Sequence, residues 1–363
     1  MKRRIILLIF IFIFVTVLSV SSTEIKLIEK IDIDQSKVIL ERIKKIAVTE
    51  DEYYIFPDQK AGNIKIFNPK GELAKVWGHK GMGPGDFAYP LFCDYKKPYF
   101  ILLDWGKYKL MLFERTKNIE FKKIREEYIL ALGYDIKLYG QNVLVAGFKI
   151  KPTTKNKFEL YHFDLQKNKI DYILPVHIKY GCESAKKYEK NYLKQYAPIG
   201  LDAFFDYVGD YIYYAWEGHL RIIKINMKTR EMAFFGKKTD NYITPKVTPR
   251  FRKLYKERSK KFYLERQKVS YVIGVFASSK FVGVTYANFE RKGEFWKTFV
   301  QLYTTKGKFL IEKPLEGAVN YSKYELNSLC YSKEKNILYF LSRSIDEEFE
   351  DVFKILKYKV ILQ

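Results

Sequence analysis

Apolar and polar residues alternate with a period of two through most of this chain, in short runs broken by Gly, Pro, Asn and Asp, a pattern that predicts strands. The runs form one repeating unit: an inner strand, a polar turn, an aromatic-rich second strand, a charged turn, then two more strands. Second strands begin at Tyr53, Tyr99, Val143, Tyr211, Phe281 and Leu338. Third strands follow at Ile64 to Phe67, Lys109 to Phe113, Glu159 to Phe163, Leu220 to Ile225, Thr298 to Leu302 and Phe353 to Leu356. Fourth strands are expected at Leu73 to Trp77, Ile119 to Ile124, Ile170 to Leu174, Glu231 to Phe235 and Phe309 to Ile311, and the sixth repeat has none. A spare strand, Glu24 to Ile31, precedes the first repeat. Paired with the last repeat it would close a ring and leave only short edges.

Two repeats are longer than a four-stranded unit needs. Helix-like inserts, about 183–196 and about 249–268, account for the excess. In the second insert Phe251, Leu254, Tyr255 and Phe262 recur at helical spacing after Pro249, while Lys253, Lys256 and Lys260 head a strongly basic opposite face. Such a helix packs over its own domain by default, and it also suits a docked partner or an anionic membrane surface.

The stretch Trp77-Gly78-His79-Lys80-Gly81-Met82-Gly83-Pro84-Gly85-Asp86-Phe87-Ala88-Tyr89-Pro90 is followed by a strand, Asp104-Trp105-Gly106-Lys107 and a strand ending in Phe113. This segment resembles the repeat of the NHL and related six-bladed β-propellers, and most of all the exported bacterial propellers that carry Gly-x-Gly-Pro-Gly-Asp/Glu-Phe once. The match covers about two repeats, Val38 to Ile124, and strand pattern alone elsewhere. The resemblance implies an all-β fold, a six-bladed β-propeller of NHL/TolB-like type, and export. It implies almost nothing about activity.

Lys2-Arg3-Arg4, an apolar run from Ile5 to Val17 and small residues near Ser22 read as a signal peptide over residues 1–22, with one domain over 23–363. The mature protein is therefore expected to be exported, periplasmic or extracellular, and anchored at its N-terminus if the leader is retained. Cys93, Cys182 and Cys330 are too few for a disulfide framework and read as packing residues. A formal charge of +23, part of it lost with the leader, favours anionic partners. Outside the cytoplasm these are an acidic protein, an anionic glycan or an anionic membrane, and nucleic acid is not expected.

Candidate chemistry is sparse. The glycines of the turn open a strand at Phe87, so neither a phosphate loop nor a dinucleotide site is expected. The four histidines, His79, His162, His177 and His219, show no metal-ligand spacing. On its loop, His79 beside Lys80 is the best ligand candidate of the four. Asp104 and Trp105 occupy a turn where the indole could stack on a sugar or pack between blades. Asp94, Asp135, Asp202 and Asp206 lie near inner strands, where Asp94, Asp135 and Asp206 could converge on a divalent cation such as calcium or simply pair with Lys. No cofactor is otherwise expected. The reading is a monomeric, non-catalytic binding or scaffold module, the alternative being a metal-dependent hydrolase or lyase with its site on the propeller axis.

Overall fold

The computed structural model describes residues 23–129, 131–149, 158–167, 169–179, 202–257, 260–321, 329–345 and 350–362. After β1 (Glu24–Asp32), the chain builds four antiparallel four-stranded sheets in succession. The first is β2 (Ala47–Val48), β3 (Tyr54–Asp58), β4 (Asn63–Phe67) and β5 (Leu73–Trp77); the second is β6 (Pro90–Lys96), β7 (Tyr99–Asp104), β8 (Lys109–Lys117) and β9 (Glu120–Tyr128). The third is β10 (Ala131–Tyr139), β11 (Asn142–Lys149), β12 (Phe158–Asp164) and β13 (Lys169–Pro175), with a short helix α1 (Val176–Lys179) behind it. The fourth is β14 (Ala203–Val208), β15 (Tyr211–Trp216), β16 (His219–Asn226) and β17 (Met232–Phe235), followed by α2 (Pro249–Glu257) and α3 (Lys260–Arg266).

Seven further strands, β18 (Tyr271–Ala277), β19 (Phe281–Glu290), β20 (Phe295–Thr304), β21 (Phe309–Asn320), β22 (Leu329–Ser332), β23 (Ile337–Ile345) and β24 (Asp351–Ile361), join β1 in an eight-stranded sheet. It consists of two antiparallel runs, β18 to β21 and β22, β23, β24, β1, which meet at a single parallel pairing of Asn320 with Arg343. The molecule is an all-β propeller. The leading strands β2, β6, β10, β14, β18 and β22 touch their successors, and β2 touches β22 as well as β6.

The burial of each strand follows its place in the stack. In β3 every residue is buried, as five of six are in β7, because a second strand is covered on both faces by neighbouring sheets. In the outer strand β5, half-buried and exposed residues alternate. Apolar side chains fill the spaces between consecutive sheets. Between the first two, Ile55, Ile64 and Ile66 face Phe100, Leu102 and Phe113. Trp77 stacks on Phe121 at 5.5 Å and meets Phe113 edge-on at 4.6 Å in the same layer. Another cluster joins Tyr339, Leu341, Phe353 and Ile355 of β23 and β24 to Tyr54, Phe56 and Phe67 of the first sheet.

β1 runs antiparallel to β24 from Glu24 opposite Ile361 to Asp32 opposite Lys354, with a bulge between Leu27 and Glu29. Its Ile25 and Leu27 pack on one inter-sheet cluster and its Ile31 is buried in the next. Lys357 reaches Glu29 at 2.7 Å and Lys354 reaches Asp32 at 2.8 Å. Deleting residues 24–32 would strip two apolar layers and bare the edge of β24. The truncated protein is expected to unfold or to oligomerise; a monomer with an unchanged melting temperature, by light scattering and calorimetry, would refute this.

Candidate functional site: the axis and the lead-in face

Three aspartates stand at related places on successive leading strands and share one job. Asp94 of β6 accepts from the backbone N–H of Leu138 in β10 at 2.9 Å. Asp135 of β10 accepts from Phe205 N–H in β14 at 3.4 Å, and Asp206 of β14 from Ala277 N–H in β18 at 2.8 Å. Each also faces a lysine from elsewhere in the chain: Asp94 with Lys137 at 3.5 Å, Asp135 with Lys45 at 2.9 Å and Asp206 with Lys333 at 2.9 Å. Burial opposes the charge on Lys137, but the carboxylates of Asp94, Asp206 and Asp135 outweigh it and hold the ammonium well above the usual lysine range. Of the three carboxylates expected near the axis, Asp94 pairs directly with Lys137, while Asp135 and Asp206 pair with Lys45 and Lys333. With their oxygens committed to ammonium and backbone N–H groups, they do not offer the open oxygen shell that calcium takes. Among the described residues no group of three or more His, Cys, Asp or Glu is placed to hold a metal. Cys93 and Cys330 are free thiols, both pushed up by burial, and Cys182 lies outside the described residues.

The loops that lead into these strands are fastened by a second set of carboxylates. Asp58, at the end of β3, is fully buried and accepts from the N–H groups of Glu41, Lys60 and Ala61 and from Lys65 Nζ. Asp104, at the end of β7, is its counterpart. It is fully buried and accepts from Ala88, Tyr89 and Lys107 N–H at 2.7, 2.9 and 3.2 Å, so it is a fastening and not a contact residue. Trp105 beside it packs against the apolar layer between the second and third sheets. In the Gly-rich loop, Gly78 has φ +73°, and a Cβ there would lie 2.4 Å from the buried Phe87 ring. His79 is exposed and its Nε2 lies 2.7 Å from Asp86, whose other oxygen accepts from Gly83 N–H at 3.0 Å. Lys80 is exposed on the same loop.

Ionisable groups crowd the lead-in side of β14 and β15. Glu217 N–H donates to Asp202 O at 2.9 Å, which brings the two acids together. Burial, then the charge of Asp202, pushes the Glu217 carboxyl up to about 7. Arg266 at the end of α3 reaches Glu217 at 3.1 Å and the Tyr271 hydroxyl at 3.2 Å. Lys44 faces Asp202 at 3.5 Å. Behind them Lys179 and Glu159 form a fully buried pair at 2.5 Å, with burial pushing the amine down and the carboxyl up.

The second insert is two helices, not one. Phe251 and Leu254 of α2 and Phe262 of α3 close on one another as a small core of their own, which Val247 joins to the apolar layer of the eight-stranded sheet. Arg266 ties this hairpin to the propeller. Lys253, Lys256 and Lys260 are exposed on it, Lys253 with a side chain 79% accessible. The expected insert at 183–196 lies outside the described residues.

No family model and no curated protein matches this chain. Its likenesses are to solved structures. A member of the DUF4221 family from Bacteroides vulgatus superposes with a TM-score of 0.63 at 11% identity, covering 94% of this chain and 99% of that one. An inferred exported protein of Bacteroides fragilis superposes with a TM-score of 0.58 at 12% identity, covering 92% and 95%. At these identities the likeness establishes the fold alone.

Two outcomes follow from this geometry. Replacing Asp206 by Ala leaves the buried Ala277 N–H without its acceptor and Lys333 without its carboxylate, its remaining acceptor being Tyr207 O, and a loss of about 2 to 3 kcal/mol is expected in denaturant titration. A carboxyl whose folded pKa is raised favours folding fully only below its unfolded value, near 4.5 for Glu217, and this contribution is lost as pH rises to about 7. Glu217→Gln should therefore gain on the unmodified protein between pH 5 and 7.5; a difference independent of pH would contradict the assignment.

Proposed function

We propose that this chain is an exported six-bladed propeller, closed by β1, that works as a monomeric, non-catalytic recognition module for a protein or anionic glycan. Six blades follow if the two four-stranded runs of the eight-stranded sheet are counted separately. Contact of β2 with β22 and the apolar layer from β23 and β24 to the first sheet support closure. The leader-like residues 1–22 and the likeness to an inferred exported protein support export, although the leader lies outside the described residues. Among the described residues no helix is long and apolar enough to cross a membrane.

The observation that carries the reading is the basic hairpin. Its core is complete without Lys253, Lys256 and Lys260, so these cations are not required for folding and remain available on the surface. A second reading, a metal-dependent hydrolase or lyase with its site on the propeller axis, draws support only from Glu217, whose carboxyl near 7 beside Asp202 suits proton transfer. The two readings separate by experiment. Reversing Lys253, Lys256 and Lys260 to Glu should abolish salt-sensitive retention on immobilised acidic polymers and leave the melting temperature within about 2 °C, as surface changes usually do. Retention unchanged in the triple variant would remove the recognition reading.

A further inference from the structure

We infer that the hairpin α2–α3 binds a linear acidic polysaccharide, its tyrosines stacking on sugar rings while its lysines pair with the acid groups. This rests on the reading of the hairpin as the recognition element and names its ligand. Tyr255 and Tyr263 stand among the lysines with 39% and 37% of their surface exposed. Both rings meet Phe262 at 5.4 Å, at 62° and 64° between planes, so one buried phenylalanine props the two tyrosines. Fixing a ring before binding lowers the entropy lost on stacking.

The cations match a repeating anion. Lys253 and Lys256 lie nearly one helical turn apart, about 4.5 Å along the axis, and Lys260 and Lys261 continue the run on α3. Glu265 is held by Lys268 at 2.7 Å, and Glu257 lies 3.9 Å from Lys253, which leaves the hairpin strongly positive. An acidic peptide would satisfy the lysines but present no flat apolar ring face to the tyrosines. An anionic bilayer would need a broad outward apolar face, and here Phe251, Leu254 and Phe262 point inward to their own core, leaving Leu264 as the one exposed aliphatic side chain of the described hairpin residues.

The test uses the full mature chain with three probes: polygalacturonate, polyglutamate of matched charge, and vesicles containing phosphatidylglycerol. Calorimetry should show polygalacturonate bound most tightly. The double variant Tyr255→Ala with Tyr263→Ala should weaken that binding by roughly tenfold or more, with little change in melting temperature. Tyr255→Phe with Tyr263→Phe should keep it, because the ring alone stacks. Equal binding of polyglutamate that ignores the tyrosine changes would overturn the polysaccharide assignment and leave the recognition reading standing. Binding to vesicles alone, or to none of the probes, would overturn both.

Discussion

The aspartates on the closely packed leading strands are nearly removed from water, so their charge must be met from within the protein. The chain meets this with aspartates that reach forward. Asp94, Asp135 and Asp206 each take a backbone N–H from the next sheet in sequence, and Lys137, Lys45 and Lys333 return the opposite charge. The links fix the separation of neighbouring leading strands. That separation sets the space that Phe100, Phe113 and Trp77, or Tyr54, Tyr339 and Phe353, must fill.

Much of the strand order is legible in the sequence because period-two alternation is a local signal. β5 coincides with the run Leu73 to Trp77, and Glu24 to Ile31 lies within β1, opposite β24. The reach of the strands is less legible. β21 runs on to Asn320, well beyond Ile311, because its far end pairs with β20 across a register shift. The insert at 249–268 reads as one helix, yet it forms two, α2 and α3, whose Phe251 and Phe262 meet.

The candidate site divides along the same line. Carboxylates near the axis can be read from strand position, but their lysines come from segments far away in sequence. Lys333 is 127 residues from Asp206, and no local pattern announces that meeting. Asp104 lies on a turn and looks accessible in sequence. The recurrence of Asp at the ends of β3 and β7 was the available sign that it is a fastening, since both catch the N–H groups of the loop that leads into their own sheet. Arg266 looks like one more surface cation, while in the fold it is the hairpin's anchor on Glu217.

The hairpin's separate core has an evolutionary consequence. Phe251, Leu254 and Phe262 pack on one another, and only Val247 beside them also touches a layer between sheets, so substitutions over α2 and α3 away from Arg266 are largely insulated from the stability of the propeller. Arg266 and Tyr271 mark the seam at which such a unit could be exchanged. A lineage of these propellers could diversify its ligands by drift in roughly twenty residues, while the sheets beneath stay under the much stricter selection of close packing.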